Sequence, residues 1–250
     1  MAKTTARKKT RSTTRKSPAP SKKTQQKESV SAEYIKAIIF AVAVALFIRS
    51  FVVQAFRIPS GSMEDTLLVG DFLLANKFIY GIRIPFTNIR LPALREPKIG
   101  DVLIFQYPKD PSRDFIKRVV ARPGQTVEIR DKILYVDNKR TVDPPKSKYV
   151  DPFIIRRKVG ARDNYGPEIV PENSFFVMGD NRDSSEDSRY WGFLDRDLLR
   201  GKALILYWSW APDRKAPEYT GLTSFPSIVL YNLLHFPSRT RWSRIGMLVE

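Results

Sequence analysis

The chain contains 250 residues, of which 42% are hydrophobic, and it carries a formal net charge of +17. This length allows one or two domains with a buried core. No cysteine is present, which excludes a disulfide scaffold, a thiol nucleophile and any cysteine-based metal site. The single histidine, His235, disfavours a histidine-rich metal centre. Hydrolytic chemistry must therefore use serine, threonine, lysine, tyrosine or carboxylate side chains, or depend on His235.

The N-terminal segment is strongly basic. Residues 1–28 hold ten lysines and arginines against one acidic residue, Glu28. The rest is mostly Thr, Ser, Ala, Pro and Gln, which cannot bury enough apolar surface to fold. We therefore predict an unstructured basic tail over residues 1–33. Such a tail is typical either of an arm that binds nucleic acid or anionic lipid, or of the cytoplasmic side of a membrane protein.

An apolar run follows the tail. Residues 37–48 read AIIFAVAVALFI, and the twenty residues from 34 to 53 would form a helix of about 30 Å, the thickness of a hydrocarbon core. Lys36 and Arg49 lie near its ends, where they can reach the headgroups. We predict a single transmembrane anchor over residues 34–53 in the cell (inner) membrane, with the N-terminus cytoplasmic and the rest extracytoplasmic. A buried helix, or a signal peptide cleaved near Val53-Gln54-Ala55, remains an alternative.

The rest of the chain, residues 54–250, is typical of a mainly antiparallel β domain. Short runs rich in β-branched and aromatic residues predict strands at 71–80, 101–107, 115–121, 126–130, 133–136, 174–178 and 202–210. Hairpin turns are predicted at residues 131–132 and 137–139. Residues from about 125 to 173 are interpreted as a small inserted β/loop region, in which 142–172 is predicted to be loop or a small excursion. No long helical pattern appears after residue 56, and residues 225–236 are too short to span a membrane, so they should lie on its surface or pack on the β domain.

Three segments of this domain carry polar groups suited to catalysis. Ser60 and Ser62 flank Gly61 after a proline, in a turn that can expose a hydroxyl and aim a backbone N–H. Lys117 interrupts an apolar strand pattern, and burial of its amine would lower its pKa towards that of a general base. Residues 179–192, GDNRDSSEDSRYWG, lie between two apolar strands. An ordinary linker, an edge-strand lysine and a solvated turn are the respective alternatives.

Short motifs in these segments occur in a characteristic order. They are PSGSM at 59–63, GD at 70–71, KR at 117–118, VVARPG at 119–124, GDNRD at 179–183, DSR at 187–189 and SRIG at 243–246. Together they resemble the type I signal peptidases, which are membrane-anchored Ser–Lys endopeptidases that remove signal peptides from exported proteins. The resemblance covers about residues 31–210 and implies a signal-peptidase-type fold, in which a transmembrane helix precedes an antiparallel β catalytic domain.

The resemblance assigns catalytic roles at the matching positions. It implies that Ser62 is the nucleophile and that Lys117 is the general base. The backbone N–H of Ser62 and the hydroxyl of Ser60 match the oxyanion hole. Ser185 matches the serine that orients the lysine amine.

The resemblance also implies a scaffold, a substrate site and partners. Asp187 and Arg189 match an ion pair that supports the site. A mostly apolar wall would select small residues one and three positions before the cut, which gives an Ala-X-Ala preference; its residues are Phe56, Ile58, Pro59, Met63, Leu67, Phe115 and Ile116. The implied partners are the signal peptides of exported preproteins and the lipid bilayer. No nucleic acid, metal or organic cofactor is expected, and the protein is expected to be a monomer.

The chain departs from the family pattern next to the nucleophile. Glu64 and Asp65 stand where the family commonly has any residue followed by proline. This change places acidic side chains near Ser62 and puts the rate and the substrate preference in doubt. The segment between the lysine and the GDNRD motif is compact, so the second β domain should be small.

Three functions from other classes stay open. A cytosolic Ser–Lys self-cleaving repressor would need a DNA-binding domain before the serine, where this chain has a tail and an apolar run. A nucleic-acid binder would use residues 1–28, which lack interleaved aromatic residues for stacking. A Ser-His-Asp hydrolase would use His235, whose neighbours Leu233, Leu234 and Phe236 are typical of a packed structural histidine.

Overall fold

A computed structural model describes residues 30–48, 53–81 and 92–250. The predicted tail over residues 1–33 lies mostly outside these ranges, and so do residues 49–52 of the predicted anchor. The chain divides into two units, Met1–Ala43 and Val44–Glu250, which are described separately.

The first described element is helix α1, Val30–Phe47. Large apolar side chains along it are exposed, including those of Tyr34 and Phe40. Within the described ranges, no helix combines the length and the hydropathy that are required to cross a membrane. The anchor over residues 34–53 stays a prediction.

Eleven strands form within the described residues. In chain order they are β1 Val53–Arg57, β2 Asp71–Asn76, β3 Val102–Tyr107, β4 Asp110–Ala121, β5 Thr126–Arg130, β6 Ile133–Val136, β7 Lys139–Arg140, β8 Tyr165–Ile169, β9 Ser174–Met178, β10 Leu194–Asp195 and β11 Leu199–Ser209. Seven of them form one sheet in the order β1-β2-β11-β3-β4-β9-β10, and four form a second sheet in the order β7-β6-β5-β8. All of these strand pairs are antiparallel. The prediction of a mainly antiparallel β domain is confirmed.

The hairpins of the second sheet turn where the sequence predicts. Asp131 and Lys132 join β5 to β6 with φ values of 47° and 70°, and Asp137 and Asn138 join β6 to β7 with 52° and 61°. Two successive residues with positive φ match the right-handed twist of the strands that they connect. The strand predicted at residues 71–80 is shorter, because β2 ends at Asn76 and a 3₁₀ turn follows.

One strand lies in residues 142–172, where the sequence predicts loop or a small excursion within the inserted β/loop region. Strand β8 lies within this stretch and pairs with β5 at the border of the second sheet. It contains Gly166 and Pro167, two residue types that normally indicate turns. Proline lacks an N–H donor and is tolerated in a border strand, which explains why the pattern hides this strand.

The segment after β1 is fixed to the core of the main sheet. Residues of β2 alternate between full and partial burial, so that Leu73 and Ala75 point inwards. They share a cluster of buried residues with Ile58, Met63 and Leu67. These three residues bracket the two candidate serines, so the turn that carries the serines is anchored by apolar packing on both sides.

Two short helices follow β11. Helix α3 is Phe225–Leu234 and helix α4 is Phe236–Arg239. They pack on the β domain through an aromatic cluster in which the Phe236 ring lies 5.6 Å from Trp208 and 5.9 Å from Trp210. Packing on the β domain is one of the two arrangements that the sequence predicts for residues 225–236.

Candidate active site

Ser62 and Lys117 are brought together by two different elements. Ser62 lies in a 3₁₀ turn, Gly61–Met63, and Lys117 lies on β4 opposite Leu103 of β3. A hydrogen bond of 2.7 Å joins Lys117 Nζ to Ser62 Oγ. A serine hydroxyl at this distance from an amine can lose its proton to that amine if the amine is neutral.

The surroundings of Lys117 favour the neutral amine. The residue is 3% exposed, and the Phe115 ring lies 5.2 Å from its Nζ. Burial lowers the pKa of Lys117 from 10.5 to about 8, although the negative charges of Asp187 and Glu186 act in the opposite direction. Roughly one amine in ten is then neutral at pH 7, compared with fewer than about one in a thousand for an unperturbed lysine.

The backbone around Ser62 is held by the GDNRD segment. Asn181 N donates to the Ser62 carbonyl oxygen at 3.1 Å, and Asn181 Nδ2 donates to the Gly61 carbonyl oxygen at 3.2 Å. Gly179 approaches the same turn so closely that a Cβ atom there would lie 2.5 Å from the Ser62 carbonyl oxygen. That Cβ would also collide with Ser185 Oγ. Only glycine fits at position 179.

Ser60 and Ser185 are the two other serines to which the resemblance assigns a role. Ser60 precedes it with extended backbone, at φ −131° and ψ 159°, and lines the cleft described below. Ser185 is buried beside Asp187, and its hydroxyl helps to lower the pKa of that carboxyl. Among the described residues, no hydrogen bond joins Ser185 to the Lys117 amine, and its orienting role stays a prediction.

Asp187 and Arg189 form a buried ion pair beside the site. Arg189 Nε and Nη2 each donate to a different Asp187 oxygen at 2.8 Å. Asp187 also accepts a hydrogen bond from Gly179 N at 3.0 Å and caps the short helix α2, Ser188–Trp191. Burial acts to raise the pKa of Asp187, but the charge and hydrogen bonds of Arg189 lower it below its ordinary value. The carboxylate is thus kept charged by the arginine.

A second buried ion pair lies under the nucleophile turn, and sequence reasoning assigned it no role. Arg118 Nε and Nη2 donate to Asp180 at 2.8 and 2.7 Å. Thr66 Oγ1 donates to the same carboxylate at 2.6 Å. Arg118 follows Lys117 on β4 and points away from the cleft, which it does not line. The pair connects β4, the GDNRD segment and the turn after Ser62.

The motifs at residues 70–71 and 243–246 also meet. Arg244 Nη2 donates to Asp71 at 2.6 Å and to the Thr66 carbonyl oxygen at 2.9 Å. Ser209 Oγ donates to the other Asp71 oxygen at 2.6 Å. This contact ties the C-terminal segment to the start of β2 and to the turn after the nucleophile.

A cleft of about 830 Å³ surrounds the Ser62–Lys117 pair. All seven residues of the predicted substrate wall line it, namely Phe56, Ile58, Pro59, Met63, Leu67, Phe115 and Ile116. Glu64, which the sequence places near Ser62, also lines the cleft. Sequence reasoning missed four other polar residues there, which are Arg113, Asp114, Asn181 and Glu186. The GDNRD motif could have indicated Asn181, whereas the others carry no sequence signal beyond their neighbourhood.

Glu64 and Asp65, where the chain departs from the family's sequence pattern, form a turn whose backbone excludes proline at position 65. Asp65 has a φ of 75°, a left-handed conformation that proline cannot adopt. Lys148 Nζ lies 3.1 Å from a Glu64 oxygen and 3.2 Å from an Asp65 oxygen. The two carboxylates are therefore paired with Lys148, which lies in the region between β7 and β8. The backbone of the turn differs from that of a turn with proline at position 65.

His235 is held by contacts with Tyr231 and not by residues around Ser62. Its Nδ1 lies 2.8 Å from the Tyr231 carbonyl oxygen, and its ring stacks on Tyr231 with centroids 4.0 Å apart. It does not line the cleft around Ser62. These contacts favour a packed structural histidine over a catalytic one.

An antiparallel β domain that buries a lysine against a serine in an open, mostly apolar cleft has the features of a serine hydrolase. The family model described as signal peptidase, peptidase S26, matches residues 31–208. The chain belongs to this family, and it is an enzyme, a serine endopeptidase.

Several relatives are similar over most of their length. A signal peptidase I from Pseudomonas aeruginosa is 37% identical over 81% of this chain and 80% of its own, and one from Aquifex aeolicus is 35% identical over 84% and 94%. A crystal structure of a signal peptidase I from Enterococcus faecalis is 27% identical, with a TM-score of 0.36, and covers 44% of this chain and 98% of that chain.

Proposed function

We propose that this protein is a membrane-bound serine endopeptidase that removes N-terminal signal peptides from exported preproteins after Ala-X-Ala-like sites. The observation that carries the proposal is the 2.7 Å hydrogen bond between the buried amine of Lys117 and Ser62 Oγ. Membership of the signal peptidase family and the apolar cleft around the pair support the choice of substrate.

The reaction begins with the neutral Lys117 amine. It accepts the hydroxyl proton of Ser62 as Oγ attacks the carbonyl carbon of the scissile peptide bond. The negative charge on the carbonyl oxygen is stabilised by the Ser62 backbone N–H and the Ser60 hydroxyl, and one such donor typically contributes about 3–4 kcal/mol. The tetrahedral intermediate collapses, the C–N bond breaks, and the Lys117 ammonium protonates the leaving amine.

The second half of the reaction releases the signal peptide. The first half leaves an ester between Ser62 Oγ and the C-terminal carbonyl of the signal peptide. The amine of Lys117, neutral again, takes a proton from water, whose oxygen attacks this ester. The C–O bond to Ser62 breaks, the serine regains its proton, and the signal peptide leaves with a free carboxylate.

Substrate selection is assigned to the apolar cleft wall. An extended peptide would add its backbone beside a strand of the site, while shallow pockets accept small side chains at two alternate positions. The apolar residues that narrow the cleft include Phe56, Ile58, Met63, Phe115 and Ile116. Large side chains at those two substrate positions would be excluded by size.

The supporting residues act on the lysine rather than on the substrate. Asp187 and Arg189 fix the segment that carries Ser185, because the carboxylate also receives Gly179 N. We assign to the Ser185 hydroxyl the orientation of the Lys117 amine, since Ser185 is buried and its Oγ and the Ser62 carbonyl oxygen both lie against Gly179. This assignment requires only that the amine and hydroxyl approach each other during the reaction.

The proposed organisation places the cleft close to its substrate. Residues 34–53 anchor the chain in the cell membrane, residues 1–33 form a cytoplasmic basic tail, and residues 54–250 form the extracytoplasmic catalytic domain of a monomer. The apolar run and the basic excess before it support this topology. Confinement of enzyme and membrane-bound substrate to one surface raises their effective concentration.

Cleavage of a purified preprotein in detergent micelles tests the proposal. Ser62→Ala and Lys117→Met should remove product at the Ala-X-Ala junction while circular dichroism shows a retained fold. Lys146→Met, at an exposed lysine, is the matched control and should cut at the wild-type rate. His235→Ala should also retain activity, because His235 does not line the cleft. Activity in Lys117→Met, or its loss in His235→Ala, would contradict the lysine mechanism.

A further inference from the structure

A lysine of the inserted region, Lys148, contacts the two acidic residues that follow the nucleophile Ser62 and Met63. Its Nζ lies 3.1 Å from Glu64 Oε2 and 3.2 Å from an Asp65 oxygen. The hydrogen bond with Glu64 is the main cause that raises the pKa of Lys148 above its ordinary value, so the amine is positively charged at neutral pH. A single ammonium group therefore bridges both carboxylates.

The backbone of Lys148 is docked on the GDNRD segment. Lys148 N donates to the Asp180 carbonyl oxygen at 2.9 Å, and Arg182 N donates to the Lys148 carbonyl oxygen at 2.9 Å. These two hydrogen bonds flank Asn181, with which Lys148 forms a parallel β-bridge. Asp143, which precedes Lys148 in the same segment, forms an ion pair with the buried Arg182 at 2.6 Å. The ammonium is thus presented from a fixed backbone.

Asn181 connects the Glu64 carboxylate to the backbone of the nucleophile. Its Nδ2 donates to Glu64 Oε2 at 3.3 Å and to the Gly61 carbonyl oxygen at 3.2 Å. Its backbone N donates to the Ser62 carbonyl oxygen at 3.1 Å. Lys148 and Asn181 therefore share one oxygen of Glu64, and Asn181 also binds the two peptide groups next to the Ser62 side chain.

The turn after Ser62 needs such an external restraint. Asp65 has a φ of 75°, and a residue other than glycine keeps this left-handed conformation only when its surroundings favour it. The carboxylates of Glu64 and Asp65 are close together, because both contact one ammonium, and they repel each other without it. Glu64 N donates to the Gly61 carbonyl oxygen at 3.0 Å, so a displacement of Glu64 is passed to the segment that contains Ser62.

We propose that Lys148 is a positioning residue for the nucleophile: it offsets the charges of Glu64 and Asp65 and thereby keeps Ser62 Oγ within hydrogen-bond reach of the Lys117 amine. The inference deepens the proposed function, on which it rests, because it gives the inserted region a role in catalysis. Lys148 does not line the cleft, so it acts through the turn and not on the substrate. Proline restricts its own backbone through its ring, whereas here the restraint at position 65 comes from an ion pair.

The ion pair is too exposed to contribute much to the stability of the fold. The side chains of Lys148, Glu64 and Asp65 are 27%, 46% and 51% exposed, and surface ion pairs are weak because water and salt screen them. Catalysis is more sensitive, since a displacement of about 1 Å between reacting groups can lower a rate about a hundredfold. Loss of Lys148 should therefore reduce the rate and leave the urea midpoint of unfolding close to that of the wild type.

Cleavage of a purified preprotein in detergent micelles tests the role in catalysis. Lys148→Met should lower kcat about tenfold and leave KM near the wild-type value, because the cleft wall is unchanged. Lys148→Arg keeps the charge and should retain most of the rate. Lys146→Met, at an exposed lysine of the same segment, is the matched control and should cut at the wild-type rate. A wild-type kcat in Lys148→Met, or a rise in KM alone, would overturn the proposal.

Neutral variants of the two acidic residues test the route of this effect. Glu64→Gln and Asp65→Asn, introduced together, remove the charges that Lys148 offsets. In this background Lys148→Met should lower kcat by less than about twofold, because the interaction that it removes is already lost. An equally large loss in both backgrounds would contradict the role of the ion pair.

Hydrogen–deuterium exchange of the full-length proteins, measured by mass spectrometry, gives a readout that does not depend on cleavage. A peptide that contains residues 61–67 should exchange faster in Lys148→Met than in the wild type, because the turn that protects the Glu64 and Leu67 amides is loosened. The same peptide should be unchanged in Lys146→Met. Unchanged exchange in Lys148→Met would overturn the proposal even if kcat fell.

The two readouts separate this inference from the proposed function. Cleavage by the wild type, with wild-type rate and exchange in Lys148→Met, contradicts the positioning role alone. Faster exchange in Lys148→Met, together with a wild type that cleaves no preprotein, supports the restraint of the turn by Lys148 and contradicts the proposed function alone.

Discussion

The pKa of Lys117 is expected to set the pH dependence of hydrolysis. Because burial lowers this pKa to about 8, kcat/KM should follow the fraction of neutral amine. Between about pH 7 and pH 9 that fraction rises about tenfold and then levels off. An amine with the ordinary pKa would gain about a hundredfold over the same interval and continue to rise. The two cases differ in both slope and plateau.

The assay is cleavage of a purified preprotein in detergent micelles, with kcat/KM measured from about pH 6 to pH 10. The substrate should contain no histidine or cysteine near the cut, so that only enzyme groups titrate. Lys117→Arg is the matched variant, since arginine keeps the positive charge but cannot lose its proton in this range. It should be inactive at every pH.

The effect of the Glu186 charge on the pKa of Lys117 can be tested in the same assay. The negative charge of Glu186 raises the pKa of Lys117, so in Glu186→Gln the rise of kcat/KM with pH, the rising limb of the profile, should occur at lower pH. Glu172→Gln, at an exposed carboxylate that does not affect Lys117, should leave the limb in place. A limb centred near pH 10 in the wild type, or an active Lys117→Arg enzyme, would refute the reasoning.

Four further changes have defined expected outcomes. Gly179→Ala should inactivate the enzyme in the preprotein assay, because its Cβ would lie 2.5 Å from the carbonyl oxygen of the nucleophile. Asp65→Pro should destabilise the fold by about 3 kcal/mol in urea unfolding, since proline cannot adopt a φ of 75°, whereas Asp65→Gly should change stability by less than about 1 kcal/mol. Asp180→Asn leaves Arg118 buried without its partner and should cost about 3–5 kcal/mol in the same measurement. Lys117→Met should raise the thermal midpoint at pH 7. The pKa of Lys117 is lower in the folded protein than in the unfolded chain, so the buried ammonium destabilises the fold below about pH 8. An unchanged midpoint would contradict this.

Most of the strands could be predicted from local signals, whereas the pairing of Ser62 with Lys117 was implied by the resemblance to the type I signal peptidases. Period-two alternation and turn residues identify β5 and β6, because each strand has one buried face and ends at an Asp-Lys or Asp-Asn turn. Lys117 stands out because a charged residue interrupts an apolar run. Strand β8 could not be found in this way, since its Gly-Pro pair imitates a turn while its pairing is determined by β5.

The supporting ion pairs required the three-dimensional structure. Arg118 and Asp180 are 62 positions apart, and Asp71 and Arg244 are 173 positions apart. No periodicity connects such residues, and only the folded sheet brings them together. In the fold Asp71, Arg118 and Asp180 are buried, Arg244 is partly buried, and hydrogen bonds join the members of each pair.

These pairs also explain how the pKa of Lys117 stays below its ordinary value near several carboxylates. Asp180 and Asp187 each act to raise the pKa of Lys117, and an uncompensated buried carboxylate would hold the amine as ammonium. Each of them is engaged by an arginine, Arg118 or Arg189, at 2.8 Å or less. The positive charge of Arg189 in turn lowers the pKa of Lys117. The arginines therefore do more than fix the backbone, because they offset charges that would otherwise protonate the proposed base.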